Sequence, residues 1–200
     1  KLQTLYDLLP TLRLLDPACG CGNFLVIAYR ELRLFEMELI ERLYFKGKGR
    51  GVLDVADLSR VTVNQFYGIE IDASAAHIAQ VALWITDHQM NLLCAQRFGT
   101  TRPSVPLTAS AHILQANALR TDWAELLPPA QCSYIVGNPP FVGAKYQSAE
   151  QRADVALVMG NIPNCGLLDY VACWHVKAAA YMQANAAICT ALVSTNSICQ

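Results

Sequence analysis

Five short apolar runs, each set apart from the next by a long stretch or a turn-rich connection, constrain this chain more than any other feature. They fall at Leu12 to Leu15, Phe66 to Ile71, His112 to Gln115, Ser133 to Val136 and Ile188 to Val193. Strand-length runs alternating with helical periodicity predict a parallel sheet with crossover helices. The first helix is expected from Gly22 to about Phe45, with Leu25, Ala28, Leu32, Phe35, Leu39 and Leu43 recurring at helical spacing and glycines at 47, 49 and 51 ending it. The second is expected from about Ser74 to Ala95 with Ile78, Val81, Ile85 and Leu92 as its buried stripe, and the third from about Leu167 to Asn185. Gln147 to Asn164 shows no decisive period, and Gly99 to Ser110, with its Thr, Ser and two prolines, reads as a loop. The expected class is α/β, a mostly parallel sheet flanked by helices.

With 200 residues there is room for one domain, 1–200, with a substantial core. Hydrophobic residues make up 54% and charged residues only 16%, which suits a sheet covered on both faces. It also suits a cut surface: the chain opens at Lys1 and closes at Gln200 after a strand-like run, so it is expected to be a C-terminally incomplete piece of a longer protein, with part of its apolar excess lying under a neighbour. A net charge of -1 gives no overall electrostatic footprint for nucleic acid, so any grip on it must be local or lie elsewhere. The one basic patch, Lys46-Gly47-Lys48-Gly49-Arg50-Gly51, reads as a solvated glycine loop. Eight cysteines lie scattered, without Cys-x-x-Cys or a Cys/His pair at zinc spacing. Reduced thiols, a cytoplasmic setting and no metal are expected; Cys19-Gly20-Cys21 sits on a tight turn that points its thiols apart. No apolar run has membrane-spanning length without charge, so no membrane is expected as a partner.

The fourth run ends in Gly137-Asn138-Pro139-Pro140-Phe141. Two consecutive prolines cannot continue a sheet, so a short stiff loop must stand at the carboxyl end of that strand. The Asn138 side-chain oxygen and the Pro139 carbonyl are both acceptors, and Phe141 offers a stacking face. That set suits an exocyclic amine on an aromatic ring.

Asp16-Pro17-Ala18-Cys19-Gly20-Cys21-Gly22-Asn23-Phe24 joins the first strand to the first helix. Small residues there let backbone approach a ligand at a helix amino terminus with its free N–H groups. Gly-x-Gly-x-x-Gly spacing is not met, because position 25 is Leu, and this disfavours a nicotinamide site. Glu70, in Tyr67-Gly68-Ile69-Glu70-Ile71-Asp72, ends the second strand where it can accept both hydroxyls of a ribose, while Asp72 suits the cap of the second helix. Asn117, in Asn117-Ala118-Leu119 after the third strand, can pair with an adenine edge or hold a turn.

Together these residues resemble the S-adenosylmethionine-dependent DNA amino-methyltransferases, which modify N6 of adenine or N4 of cytosine. The resemblance spans nearly the whole chain and implies a Rossmann-like class I methyltransferase fold. It implies cofactor contacts at Asp16, Ala18, Cys19, Gly20, Gly22, Asn23, Phe24, Glu70, Ile71, Asn117 and Ala118. Asn117 stands where the family often has an Asp. Asn138, Pro139, Pro140 and Phe141 match the family's catalytic loop in the form typical of adenine-N6 enzymes. The wording around Gly22-Asn23-Phe24-Leu25 and Val136 to Gly143 is similar to the large bacterial restriction-modification polypeptides that fuse nuclease, methyltransferase and recognition domain. Double-stranded DNA is then the implied partner, held through a recognition domain outside this chain, and the oligomeric state is left open.

The mechanism implied is placement: acceptors at Asn138 and Pro139 favour a pyramidal amine whose lone pair faces the methyl group, with Phe141 stacking on a base that has left the duplex. Relatives with such a loop also methylate a release-factor glutamine amide or guanine N2 of ribosomal RNA, though these usually lack the Pro17-Ala18-Cys19 wording. A non-catalytic binding domain would require damage to the loop or to Glu70, and neither is visible. His175 and Trp174 read as core or partial surface, Tyr170 beside Asp169 as packing behind the loop, and Lys145 as a phosphate contact or a solvated side chain.

Overall fold

The structure, a computed structural model, describes residues 1–45, 58–99, 111–160 and 162–196. The Lys46 to Gly51 patch, the glycine stop of the first helix and the 99–110 loop beyond Gly99 lie outside the described residues. Five strands form one parallel sheet: β1 (Leu14–Asp16), β2 (Phe66–Glu70), β3 (His112–Gln115), β4 (Tyr134–Gly137) and β5 (Cys189–Leu192), in the order β3-β2-β1-β4-β5. Leu14 pairs with Phe66 on one side and Tyr134 on the other. The order reverses between β1 and β4, so the carboxyl ends of these two strands flank a crevice in which such sheets hold ligands.

Alternation along the strands builds two cores. Leu14 and Phe66 face a layer made by α1 (Leu2–Leu8), α2 (Asn23–Ile40) and α3 (Ala73–Phe98), where Tyr6, Leu25, Tyr29 and Leu83 are fully buried. Leu15 and Ile69 face the opposite layer, built from the short α4 (Trp123–Leu126), α5 (Ala149–Met159) and α6 (Ala172–Met182) around Trp123, Ile135 and Cys173. As expected, Asp72 caps α3, its carboxylate accepting from Ala75 N at 2.8 Å. Gly99 closes that helix in the left-handed region.

Where sequence pattern and structure part, packing is the reason. The proposed stripe of α3 is turned outward: Ile78, Val81, Ile85 and Leu92 are each about half exposed, and Ala76, Ala79, Leu83, Thr86, Met90, Asn91 and Cys94 face inward. Close approach of α2 selects small residues, since a Cβ on Gly22 would stand 3.0 Å from the Ala79 Cβ. Phe35 of α2 is likewise exposed, whereas Leu25 and Leu39 are buried as expected and Tyr29, Arg33 and Glu36 share their face. The third expected helix is broken: residues 165–167 form a single tight turn, Leu168 is extended, and α6 starts only at Ala172. The undecided stretch after Gln147 holds α5, which opens on the reciprocal capping pair Ser148 and Gln151. The amino-terminal α1 carried no sequence expectation.

Candidate functional site

The carboxyl ends of β1, β2, β3 and β4 open into one cavity of about 760 Å³, within the range of small-molecule sites. Pro17, Ala18 and Gly20 supply one wall, Glu70 and Ile71 a second, Asn117 and Ala118 a third, and Asn138 and Pro140 the side across the switch point. Four separate sequence motifs therefore meet in one place. The remaining predicted residues stand behind or beside that lining. Cys19 and Asp16 are buried, Gly22 presses on Ala79, Asn23 and Phe24 open α2 at the surface, Pro139 is buried, and Phe141 is 46% exposed beside the loop.

The turn after β1 is held by its neighbours. Cys19 N donates to Ile69 O at 3.1 Å, and Gly20 N to Glu70 Oε2 at 2.8 Å. Gly22 starts the helix at φ 85°, a left-handed conformation that glycine adopts without strain. Glu70 Oε1 accepts from Asp72 N at 2.9 Å, so each carboxylate oxygen braces backbone and keeps a lone pair for a ligand.

Asp16 is the electrostatic anomaly. It is 1% exposed; Oδ1 accepts from Ala18 N at 3.0 Å, and Oδ2 has no hydrogen-bond partner. Burial raises its carboxyl to about 7, against the Ala18 hydrogen bond and with help from the charge of Glu70. Gly137 is what permits this packing of β4 on β1, because a Cβ there would fall 2.6 Å from Asp16 Oδ1.

Beyond Gly137 the loop is clamped. Asp169 Oδ1 accepts from Val142 N at 3.0 Å and from Val171 N at 3.2 Å, and Tyr170 N donates to Val142 O at 3.0 Å. The buried Gln147 adds donations to Val142 O and Leu168 O. Tyr170 thus does pack behind the loop, and the clamp explains why residues 168–171 interrupt the helix. Asn138 is exposed, and among the described residues its amide has no hydrogen-bond partner. The loop is rigid while its one polar side chain is free.

Among the lining residues that carried no site expectation are Asp154 and Gln151 of α5, Arg120 after β3, and Trp174, read as core. Trp174 is indeed buried, but its Nε1 donates to Pro17 O at 2.9 Å and so fixes the turn after β1. His175 only approaches Val171 O of its own helix. Asp154, 2% exposed, collects Asn117 Nδ2 (3.0 Å), Arg120 Nε (2.6 Å) and Tyr170 OH (2.7 Å). Burial works to raise its carboxyl, but the three donors outweigh it and hold it below the ordinary range. Asn117 Oδ1 meanwhile accepts from Leu119 N at 2.9 Å, so this side chain does hold its turn. The Ser148-x-x-Gln151 spacing was the available signal for α5. Among the described residues no cluster of His, Cys, Asp and Glu could hold a metal, the seven cysteines are free thiols, and no helix is long and apolar enough to cross a membrane.

Compared with solved structures, the sheet and its two helical layers are those of a Rossmann-like methyltransferase. The Type IIL restriction-modification enzyme MmeI, solved in complex with DNA, matches all of this chain with 26% of its own, at a TM-score of 0.94 and 51% identity. The DrdV–DNA complex shares the fold alone, with a TM-score of 0.52 and 18% identity over 94% of this chain and 17% of its own. The family described as MmeI, DNA-methyltransferase domain, matches residues 1–200, and the chain belongs to it. DNA methyltransferase A of Bacillus subtilis (strain 168) is 40% identical over all of this chain and 22% of its own length. The chain spans about a quarter of the length of these relatives.

Proposed function

We propose that this chain is the catalytic domain of a longer, cytoplasmic restriction-modification protein, and that it transfers a methyl group from S-adenosylmethionine to N6 of an adenine flipped out of double-stranded DNA. The observation that carries the reading is the free Asn138 amide on a clamped loop, lining the same cavity as Ala18, Glu70 and Asn117. Family membership supports methyl transfer, and the DNA named with MmeI supports the substrate.

The donor set fits the cofactor. Glu70 keeps lone pairs for two ribose hydroxyls, Ile71 offers an exposed apolar face for a purine ring, and Asn117 and Ala118 stand at its edge. Bound S-adenosylmethionine supplies an activated methyl group on a sulfonium. The protein's task lies with the other reactant, because the adenine amine has its lone pair delocalised into the ring. Asn138 Oδ1 and the Pro139 carbonyl accept the two amine hydrogens, which localises that lone pair, and their hydrogen bonds strengthen as positive charge grows on nitrogen. Phe141 stacks on the extruded base.

The test is incubation of the full-length protein with tritiated cofactor and DNA, followed by nucleoside analysis. N6-methyladenine is expected. N4-methylcytosine would correct the target base, and label in protein or RNA would transfer the assignment to the glutamine or guanine-N2 enzymes.

A further inference from the structure

Asn117 faces the cavity with an amide, whose two ends have nearly the same shape and opposite hydrogen-bonding character. Asp154 and the Leu119 N–H fix its orientation between them. The ionised carboxylate can only accept, so it holds the Asn117 nitrogen at 3.0 Å, and Leu119 N, which can only donate, claims the oxygen from the other side. Asp154 is itself pinned by Arg120 and Tyr170 and comes from a helix that follows the Asn138 loop in sequence. The amide oxygen keeps one lone pair for a ligand, and a lone acceptor selects a donor such as an exocyclic amine and repels a carbonyl.

We propose that Asp154 is a positioning residue for the cofactor's purine, acting through Asn117 so that the binding site presents an acceptor to the ring amine. This rests on the reading that the cavity holds S-adenosylmethionine. The same contact couples α5, and hence the segment carrying the target-base loop, to the wall that grips the cofactor.

The experiment is titration calorimetry of the full-length protein with S-adenosylhomocysteine and with S-inosylhomocysteine, in which a carbonyl replaces the amine. The unaltered protein is expected to prefer the amine by at least about tenfold, the scale of one hydrogen bond exchanged for a repulsive contact. Asp154→Asn gives the Asn117 amide a partner that can donate or accept, and the preference should shrink to about twofold. Exchanging the pair, Asn117→Asp with Asp154→Asn, restores one donor facing one acceptor and should return the preference; this variant keeps one carboxylate in the pair and serves if the single substitution fails to fold. A purely structural Asp154 would weaken both ligands equally, so an unchanged ratio in the single variant, or a lost preference in the exchanged pair, overturns the proposal. Absence of S-adenosylhomocysteine binding to the unaltered protein would instead overturn the cofactor assignment itself.

Discussion

Two buried polar clusters, one on each face of the sheet, do different things with similar groups. Between α2 and α3 the fully buried Arg33 donates to Tyr29 OH (2.8 Å) and Asn91 Oδ1 (3.1 Å) and lies 3.3 Å from both Asp87 Oδ1 and Glu36 Oε2. Glu36 in turn accepts from Ser59 Oγ and Val61 N, and Tyr29 OH donates to Asp87. Every member of that cluster serves to hold one piece of chain against another. Across the sheet, Asp154 is as deeply buried, yet its partners Asn117, Arg120 and Tyr170 all line the cavity. The first cluster joins helices to one another, and the second opens on a cavity, where the role proposed for it is to set what the cavity accepts. The first should therefore answer to substitution in stability and the second in ligand choice and turnover.

The largest effect expected is on the sealed side. Arg33→Ala leaves the buried Glu36 and the partly buried Asp87 without their cation and should lower unfolding free energy by about 3–5 kcal/mol. Denaturant unfolding measures this, while cofactor affinity of the folded fraction should stay within about twofold, given separation of the cluster from the cavity. A stable variant with lost cofactor binding would invert the comparison.

On the open side, Asn138→Ala removes an acceptor from an exposed, already clamped loop. Turnover of DNA should fall about a thousandfold, with the unfolding midpoint and S-adenosylhomocysteine affinity close to the parent's. Loss of cofactor binding as the main defect would move Asn138 out of the target-base role.

Asp16, buried at the end of β1 behind the cavity lining, bears on the comparison because its burial carries a stability cost. Its folded pKa lies at about 7, raised by burial, whereas the unfolded carboxyl titrates near 4. Between those values the native state keeps a proton that the unfolded chain has released, so this group makes stability fall as pH rises through the window, by no more than about 4 kcal/mol. Asp16→Asn removes that slope. Unfolding at pH 4.5 and 7.5 should show the variant gaining on its parent at the higher pH, and parallel curves would refute the assignment. The smallest effect belongs to Phe141→Trp, where another aromatic face remains. It should retain activity within about tenfold, and an inert but folded variant would argue against stacking.

Much of this was legible in the chain itself. All five strands were placed within about two residues of their ends, since a buried parallel strand bounded by turn residues is a local pattern. The glycine turn, Glu70, Asn117 and the Asn-Pro-Pro-Phe loop were legible too, because each depends on a few adjacent residues at a strand end. The inward face of α3 was not: the helix is apolar on both sides, and the close approach of Gly22 to Ala79 turns that side inward and Ile78, Val81, Ile85 and Leu92 outward. Nor were Asp154 and Trp174 as parts of the site, for their meaning comes from partners far away in sequence, Asn117 and Pro17.

A parallel α/β sheet and the chemical kind of each strand-end motif could be read from the chain, because strand period, proline stiffness and glycine freedom are properties of a few neighbouring residues. That those motifs share one cavity, which helix face is buried, and which buried carboxylate opens on the cavity follow from the three-dimensional packing alone. Those outcomes depend on distances between segments that are far apart along the chain, and close packing is what sets them.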